Sequence, residues 1–161
     1  MKRVGVIFGV LICLMAYPLQ AQVSDEEAKL IQDAWGLDKK EMIDQYMGLS
    51  GEAANSFWEV YDAYMIERKD LGMDRYQILK EYAENYDGLS GEKADELTER
   101  LFKNNMALEK LQLKCYKRMK KAVGPLEASK FIQAERYIES VIRIEVQSGI
   151  PFIDELQQIR G

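Results

Sequence analysis

The stretch Leu49-Ser50-Gly51-Glu52-Ala53-Ala54-Asn55-Ser56-Phe57 recurs in outline twice downstream. The later copies are Leu89-Ser90-Gly91-Glu92-Lys93-Ala94-Asp95-Glu96-Leu97 and Val123-Gly124-Pro125-Leu126-Glu127-Ala128-Ser129-Lys130-Phe131. Each opens on an apolar residue, places a small residue at the turn, and repeats an Ala and a large apolar residue at matching distances. This is the chemistry of a helix start. A serine oxygen caps free backbone N–H groups, an acidic side chain suits the positive end of the helix dipole, and proline suits the first helical position. Leu49, Ser50, Leu89, Ser90, Pro125 and Glu127 therefore mark three helix entries, and Gly48 and Gly88 read as the endings of the helices before them. The uneven spacing, about 40 and then about 34 residues, is weak support for a helical solenoid, because similar caps recur wherever helices begin.

Between these marks the apolar pattern has the helical period. Ala54, Phe57, Tyr61, Tyr64, Arg68 and Leu71 alternate steps of three and four, and Tyr76, Leu79, Tyr82 and Tyr86 resume the line, predicting a helix over 51–86 with Gly72 as a kink or break. Ala94, Leu97, Leu101, Leu108, Leu111 and Cys115, broadened by Phe102, Met106, Leu113 and Met119, predict a helix over 90–121. Phe131, Ala134, Ile138, Val141 and Ile142 predict a third over 125–148, stopped by Gly149 and Pro151. Shorter helices are expected over 24–34, 38–47 and 152–160. No run alternates as a strand does, so the fold class read from the pattern is all-α, an elongated helical hairpin or bundle with long antiparallel helices. Stripes longer than about 30 residues exceed what a compact four-helix bundle of this length uses. Part of the apolar surface should then lack an intrachain partner, and a homodimer or client binding would cover it.

The N-terminus carries Lys2 and Arg3, an uncharged stretch from Val4 to Ala16, and Ala21 at a cut site, the three parts of a secretory signal peptide over 1–21. The apolar stretch is short of the roughly 20 residues a spanning helix needs, and Pro18 breaks it, so no stable membrane anchor is expected after cleavage. This divides the chain into residues 1–21, a pair of short helices over 22–48, and a helical domain over 49–161. Loss of Lys2, Arg3 and Cys13 leaves 20 basic against 27 acidic side chains, a net charge of −7, and Cys115 as the one thiol. An acidic chain is a poor partner for nucleic acid. A single thiol excludes an intramolecular disulfide and leaves an intermolecular one at Cys115 open.

The 161 residues include no histidine. That excludes Ser-His-Asp and Cys-His nucleophile pairs, His-liganded zinc and an imidazole base. With no glycine-rich phosphate loop and no strand-to-turn nucleophile, the pattern argues against an enzyme and calls for no cofactor. No loop has the acidic spacing of a calcium site, and the methionines are scattered, so no metal site is expected.

Two features are candidate client- or partner-binding surfaces. The first is the segment Leu113-Lys114-Cys115-Tyr116-Lys117-Arg118-Met119-Lys120-Lys121, five positive charges and no acid. Lys114, Lys117, Arg118, Lys120 and Lys121 would form a cationic rim beside an apolar face, suited to acidic clients, although basic residues also collect near helix C-termini for reasons of the dipole alone. The second is the aromatic and thioether stripe, with Tyr61, Tyr64, Met65 and Arg68 at its centre, which would adapt to varied partners or serve as core.

With its three entries, its secretory start and its helical remainder, the chain resembles the Spy/CpxP group of small periplasmic proteins, whose helix entries carry LTxxQ-type motifs. Leu49-Ser50 and Leu89-Ser90 match the first half of that motif with Ser for Thr, while Ala53 and Lys93 stand where the glutamine would be, and Glu127 is the nearest analogue in the third copy. The segment Pro125 to Pro151, with Lys130-Phe131-Ile132-Gln133 and Glu135-Arg136, is the part most similar to such proteins. The resemblance covers about residues 48 to 152. It implies a cradle of antiparallel helices in the periplasm of a Gram-negative bacterium. The function it implies is that of an ATP-independent chaperone for unfolded envelope proteins, or of an envelope-stress modulator. A dedicated regulatory partner of an envelope sensor or anti-sigma ectodomain is the alternative, and a metal-responsive sensor a more distant one.

Overall fold

The computed structural model describes residues 25–148, with Ile150 and Ile153, so the expected signal segment and the expected helix over 152–160 lie outside the described residues. Among the described residues there are four α-helices and no strand. They are α1 (Asp25–Met47), α2 (Gly51–Asn85), α3 (Gly91–Val123) and α4 (Pro125–Ser148), with a single 3-10 turn, Tyr86–Gly88, between α2 and α3. The all-α reading holds, and the three entries fall where the caps placed them. At 1.5 Å per residue α2 and α3 are each about 50 Å long, while α1 and α4 are about 35 Å.

Cap chemistry differs from one entry to the next. Before α3, Ser90 takes the expected role, its hydroxyl accepting from the backbone N–H of Lys93 at 3.1 Å. Before α2, Ser50 has extended backbone but forms no side-chain cap bond. Before α4 the turn is Gly124 alone, at φ 88° and ψ 166°, a combination open essentially only to glycine. That one residue reverses the chain between two long helices, and Pro125 starts the next with its φ already set.

One expectation fails. The pair of helices over 24–34 and 38–47 is one continuous helix, α1, running through Gly36. A glycine inside a helix costs only about 1 kcal/mol relative to alanine, and α1 is held by tertiary contacts: Ile43 and Met47 lie in the core. Lys130 of α4 donates to the Met47 carbonyl at 3.1 Å, a cation at the negative end of the helix. Of the two readings of Gly72, a kink or a break, the break is absent: α2 is continuous through it. Beside it the Asn104 amide of α3 donates to the Leu71 carbonyl at 2.9 Å and to Asp74 Oδ2 at 2.8 Å, tying that turn to its neighbour.

The helices alternate in direction. Cross-links fix the levels: Lys114 with Glu67, Arg75 with Asn105, and Arg100 with Glu81 join α3 to α2, and Gln112 with Glu139 and Arg143 with Asn105 join α3 to α4. All four helices share one core of Ile43, Met47, Phe57, Val60, Tyr61, Tyr64, Leu111, Cys115, Met119, Ala128 and Phe131. Phe131 is its centre, with ring centroids 5.4 Å from Phe57, 5.8 Å from Tyr61 and 6.1 Å from Tyr64, all edge to face. The end of α2 and the start of α3 pack on each other at Ile78 and Leu97 and are bound by Lys93, Arg100 and Glu81.

A Cβ at position 124 would meet no atom within 4 Å, so Gly124→Ala strains only the backbone. The expected loss is about 1 to 3 kcal/mol, read as a lower thermal midpoint with helix content retained. Phe131→Ala should cost more, about 3 to 5 kcal/mol; a smaller loss there than at Gly124 would contradict the placement of the core.

Candidate functional site

The aromatic stripe expected as a binding face lies inside the protein. Tyr61 is 1% and Tyr64 2% exposed, so neither can meet a client while the fold is intact, and that part of the candidate surface is withdrawn. Met65 and Arg68 are half-buried at its edge. The reason is packing: with α1 and α4 on either side, the face of α2 carrying Phe57, Tyr61 and Tyr64 points to the shared core, where the rings enclose Phe131.

The same region holds a charge cluster that the pattern reading missed. Glu135 of α4 is fully buried and Lys39 of α1 is 5% exposed. The Glu135 Oε1 accepts from Lys39 Nζ at 2.7 Å, from the Tyr64 hydroxyl at 2.8 Å and from Arg68 Nε at 3.0 Å. Its Oε2 stands 2.5 Å from the Lys39 ammonium but receives no well-directed hydrogen bond among the described residues. Lys39 Nζ also reaches Met65 Sδ at 3.7 Å. One carboxylate thus joins three helices. Burial alone would raise the Glu135 carboxyl, and the charges of Lys39 and Arg68 overcome that and hold it below the ordinary carboxylate range. Burial, then the nearby carboxylate, pushes the Tyr64 and Tyr61 hydroxyls up. A sequence cue existed: Glu135 sits four residues after Phe131 and three before Ile138, on the apolar side of α4, and Lys39 occupies the same place before Ile43 and Met47.

Cys115 is buried, and burial pushes its thiol up to about 12. In the folded protein it is closed to an intermolecular disulfide.

The basic segment is on the surface. Lys114, Lys117, Arg118, Lys120 and Lys121 are all exposed; Lys114 pairs with Glu67 at 2.8 Å, and the other four form no ion pair among the described residues. The second open surface is on α4. Leu126, Tyr137 and Ile144 are 77%, 72% and 70% exposed, with Val141 beside them, and they share the outward face with Ser129, Gln133, Ser140 and Gln147. In a chain that is 30% charged, this strip along α4 carries one charged residue, Lys130, which is half-buried and bound to the Met47 carbonyl and Glu127. Among the described residues no group of acidic or cysteine side chains is arranged to hold a metal ion, and no helix is long and apolar enough to cross a membrane. Compared with family models, with curated proteins and with solved structures, the chain matches none.

Glu135→Gln leaves the Lys39 ammonium buried without its counter-charge and should cost about 3 to 5 kcal/mol, more than removing any one surface pair. The pH dependence has a definite sign. Because the native Glu135 carboxyl titrates below its unfolded value of about 4.3, its contribution is complete above that pH and is lost as pH falls through the depressed native value. Glu81, held near 2 by hydrogen bonds from Arg100 and Lys93, acts in the same direction but is partly exposed and screened by solvent, and contributes little. Urea titrations between pH 6 and pH 3 should show the wild type losing more stability than Glu135→Gln; parallel curves would remove Glu135 from the acid limb.

Proposed function

We propose that this is a nucleotide-independent binding protein of the bacterial envelope, of the Spy/CpxP type. It holds exposed segments of other proteins on helix faces, and so shields unfolded envelope proteins or adjusts an envelope-stress pathway. The observation that carries this reading is the outward face of α4, where Leu126, Tyr137 and Ile144 are more than two-thirds exposed and the one charged residue, Lys130, is tied to Met47 and Glu127. Scattered surface apolar residues are ordinary, but a line of them along a single helix, with its one cation already paired, is suited to a partner. The rigid support beneath it comes from the Glu135 cluster and the Phe131 cage on the opposite side of α4. The unpaired cations Lys117, Arg118, Lys120 and Lys121 add long-range attraction for acidic chains. The secretory start of the sequence supports the envelope location.

A dedicated partner of one signalling ectodomain is the second reading, favoured by the fixed spacing of Tyr137, Val141 and Ile144, which suits one complementary helix better than many irregular ones. Light scattering by an aggregating unfolded protein tests the first reading: suppression is expected at a few-fold molar excess. The double variant Tyr137→Ser, Ile144→Ser should lose most of it while keeping helix content and midpoint. No suppression by the wild type, with one stoichiometric partner recovered from envelope extract, would favour the second. Neutralising Lys117, Arg118, Lys120 and Lys121 is expected to weaken capture at low salt and to leave it unchanged at high salt.

A further inference from the structure

The outer side of the α2/α3 hairpin, turned away from α1 and α4, carries two rows of opposite charge. On α2 the exposed acids Glu52, Glu59 and Asp70 lie along it, and on α3 the exposed bases Lys110, Lys117 and Lys121. Glu52 and Glu59, like Lys110 and Lys117, stand about two helical turns apart, which keeps each row straight. None of the six forms an ion pair among the described residues. The rows are joined across the seam by one bond, Lys114 to Glu67 at 2.8 Å.

That bond sets the level of one row against the other. Moving about eight residues back along α2 and about seven forward along α3 brings Glu59 level with Lys121. Moving about three and four residues the other way brings Asp70 level with Lys110. Each match is within about one residue, or about 1.5 Å. The exposed apolar residues follow the same rule: Ile66 of α2 and Leu113 of α3, both exposed, each lie about one residue from the Glu67–Lys114 level, and each points away from the seam.

We propose that two copies of the chain associate face to face through this surface, about a two-fold axis parallel to α2 and α3. Such an axis keeps every residue at its own level and exchanges left for right, so the acidic row of each copy lies over the basic row of the other. Glu59 meets Lys121 of the second copy, Asp70 meets Lys110, and Ile66 meets Leu113 between them, each contact made twice. A two-fold perpendicular to the helices would set acid on acid. Charge complementarity selects the second copy as occupant: the chain is acidic as a whole and repels itself elsewhere, whereas this face is its own complement. The face spans about 30 Å of two adjacent helices, on the order of 600 Å² per copy by helix dimensions, below the roughly 800 Å² usual for a stable complex. The association is therefore weak and strongly salt-dependent, and it leaves the apolar strip of α4 open.

Sedimentation velocity over a wide concentration range tests this. At about 0.05 M salt the mass should rise with concentration toward twice that of the monomer, and at about 1 M salt it should stay monomeric. The variants Glu59→Lys with Asp70→Lys, and Lys110→Glu with Lys121→Glu, should each be monomeric alone at low salt, and an equimolar mixture of the two should regain the dimer mass. The milder Lys110→Gln with Lys121→Gln should weaken association at least tenfold without charge reversal. A wild type monomeric at several hundred micromolar in low salt, or a dimer that both reversed variants retain, overturns the proposal. Either result leaves client capture by the apolar strip of α4 to be judged separately, because Tyr137 and Ile144 take no part in this face. Lys117 and Lys121 are shared with the cationic contribution to capture, so the double variant Tyr137→Ser, Ile144→Ser is the one that separates the two.

Discussion

The arrangement of the four helices depends on the Glu135 carboxylate. Buried in α4, it takes Lys39 from α1 and Tyr64 and Arg68 from α2, so three elements distant in sequence meet at one pair of oxygens. Such a cluster is a poor source of net stability, because stripping water from a carboxylate and an ammonium costs about as much as their attraction returns. Its effect is on alternatives. Any slide of α1 or α4 by one helical turn would leave a buried charge without its counter-charge, a penalty of several kcal/mol, whereas an all-apolar contact would lose far less. The cluster sets register, and the aromatic cage around Phe131 supplies the burial energy.

The division of surfaces follows from that register. With the core side of α4 committed to Glu135 and Phe131, the opposite side must face outward, which exposes Leu126, Tyr137 and Ile144 together. With α1 and α4 covering one side of the α2/α3 hairpin, no other described residue covers the opposite side, and the acidic and basic rows lie there side by side. The proposed client strip and the proposed self-association face are thus on different sides of the molecule for the same structural reason.

The helices were largely legible in the sequence because what starts and stops them is local. Ser90, Gly124 and Pro125 act on groups within a turn of themselves, and α4 ends where Gly149 and Pro151 placed it. The break expected between 34 and 38, and the break that is one of two readings at Gly72, are absent because a glycine penalty of about 1 kcal/mol is small beside the packing of Ile43 and Met47 or the bond from Asn104 to the Leu71 carbonyl. The candidate site was read less well. A stripe of Tyr61 and Tyr64 at helical spacing looks the same whether it faces a client or a core, and the pattern cannot distinguish them.

By itself, then, the sequence determined helix content, the three entries, the basic segment of α3 and the absence of histidine chemistry, all properties of single residues or of neighbours within a turn or two. The tertiary structure alone decided which stripes are covered, that Lys39 and Glu135 pair across 96 positions, and that Glu59 stands level with Lys121. The physical reason is that periodicity records that a face is turned toward something, while the identity of that something depends on contacts between segments that the chain brings together only by folding.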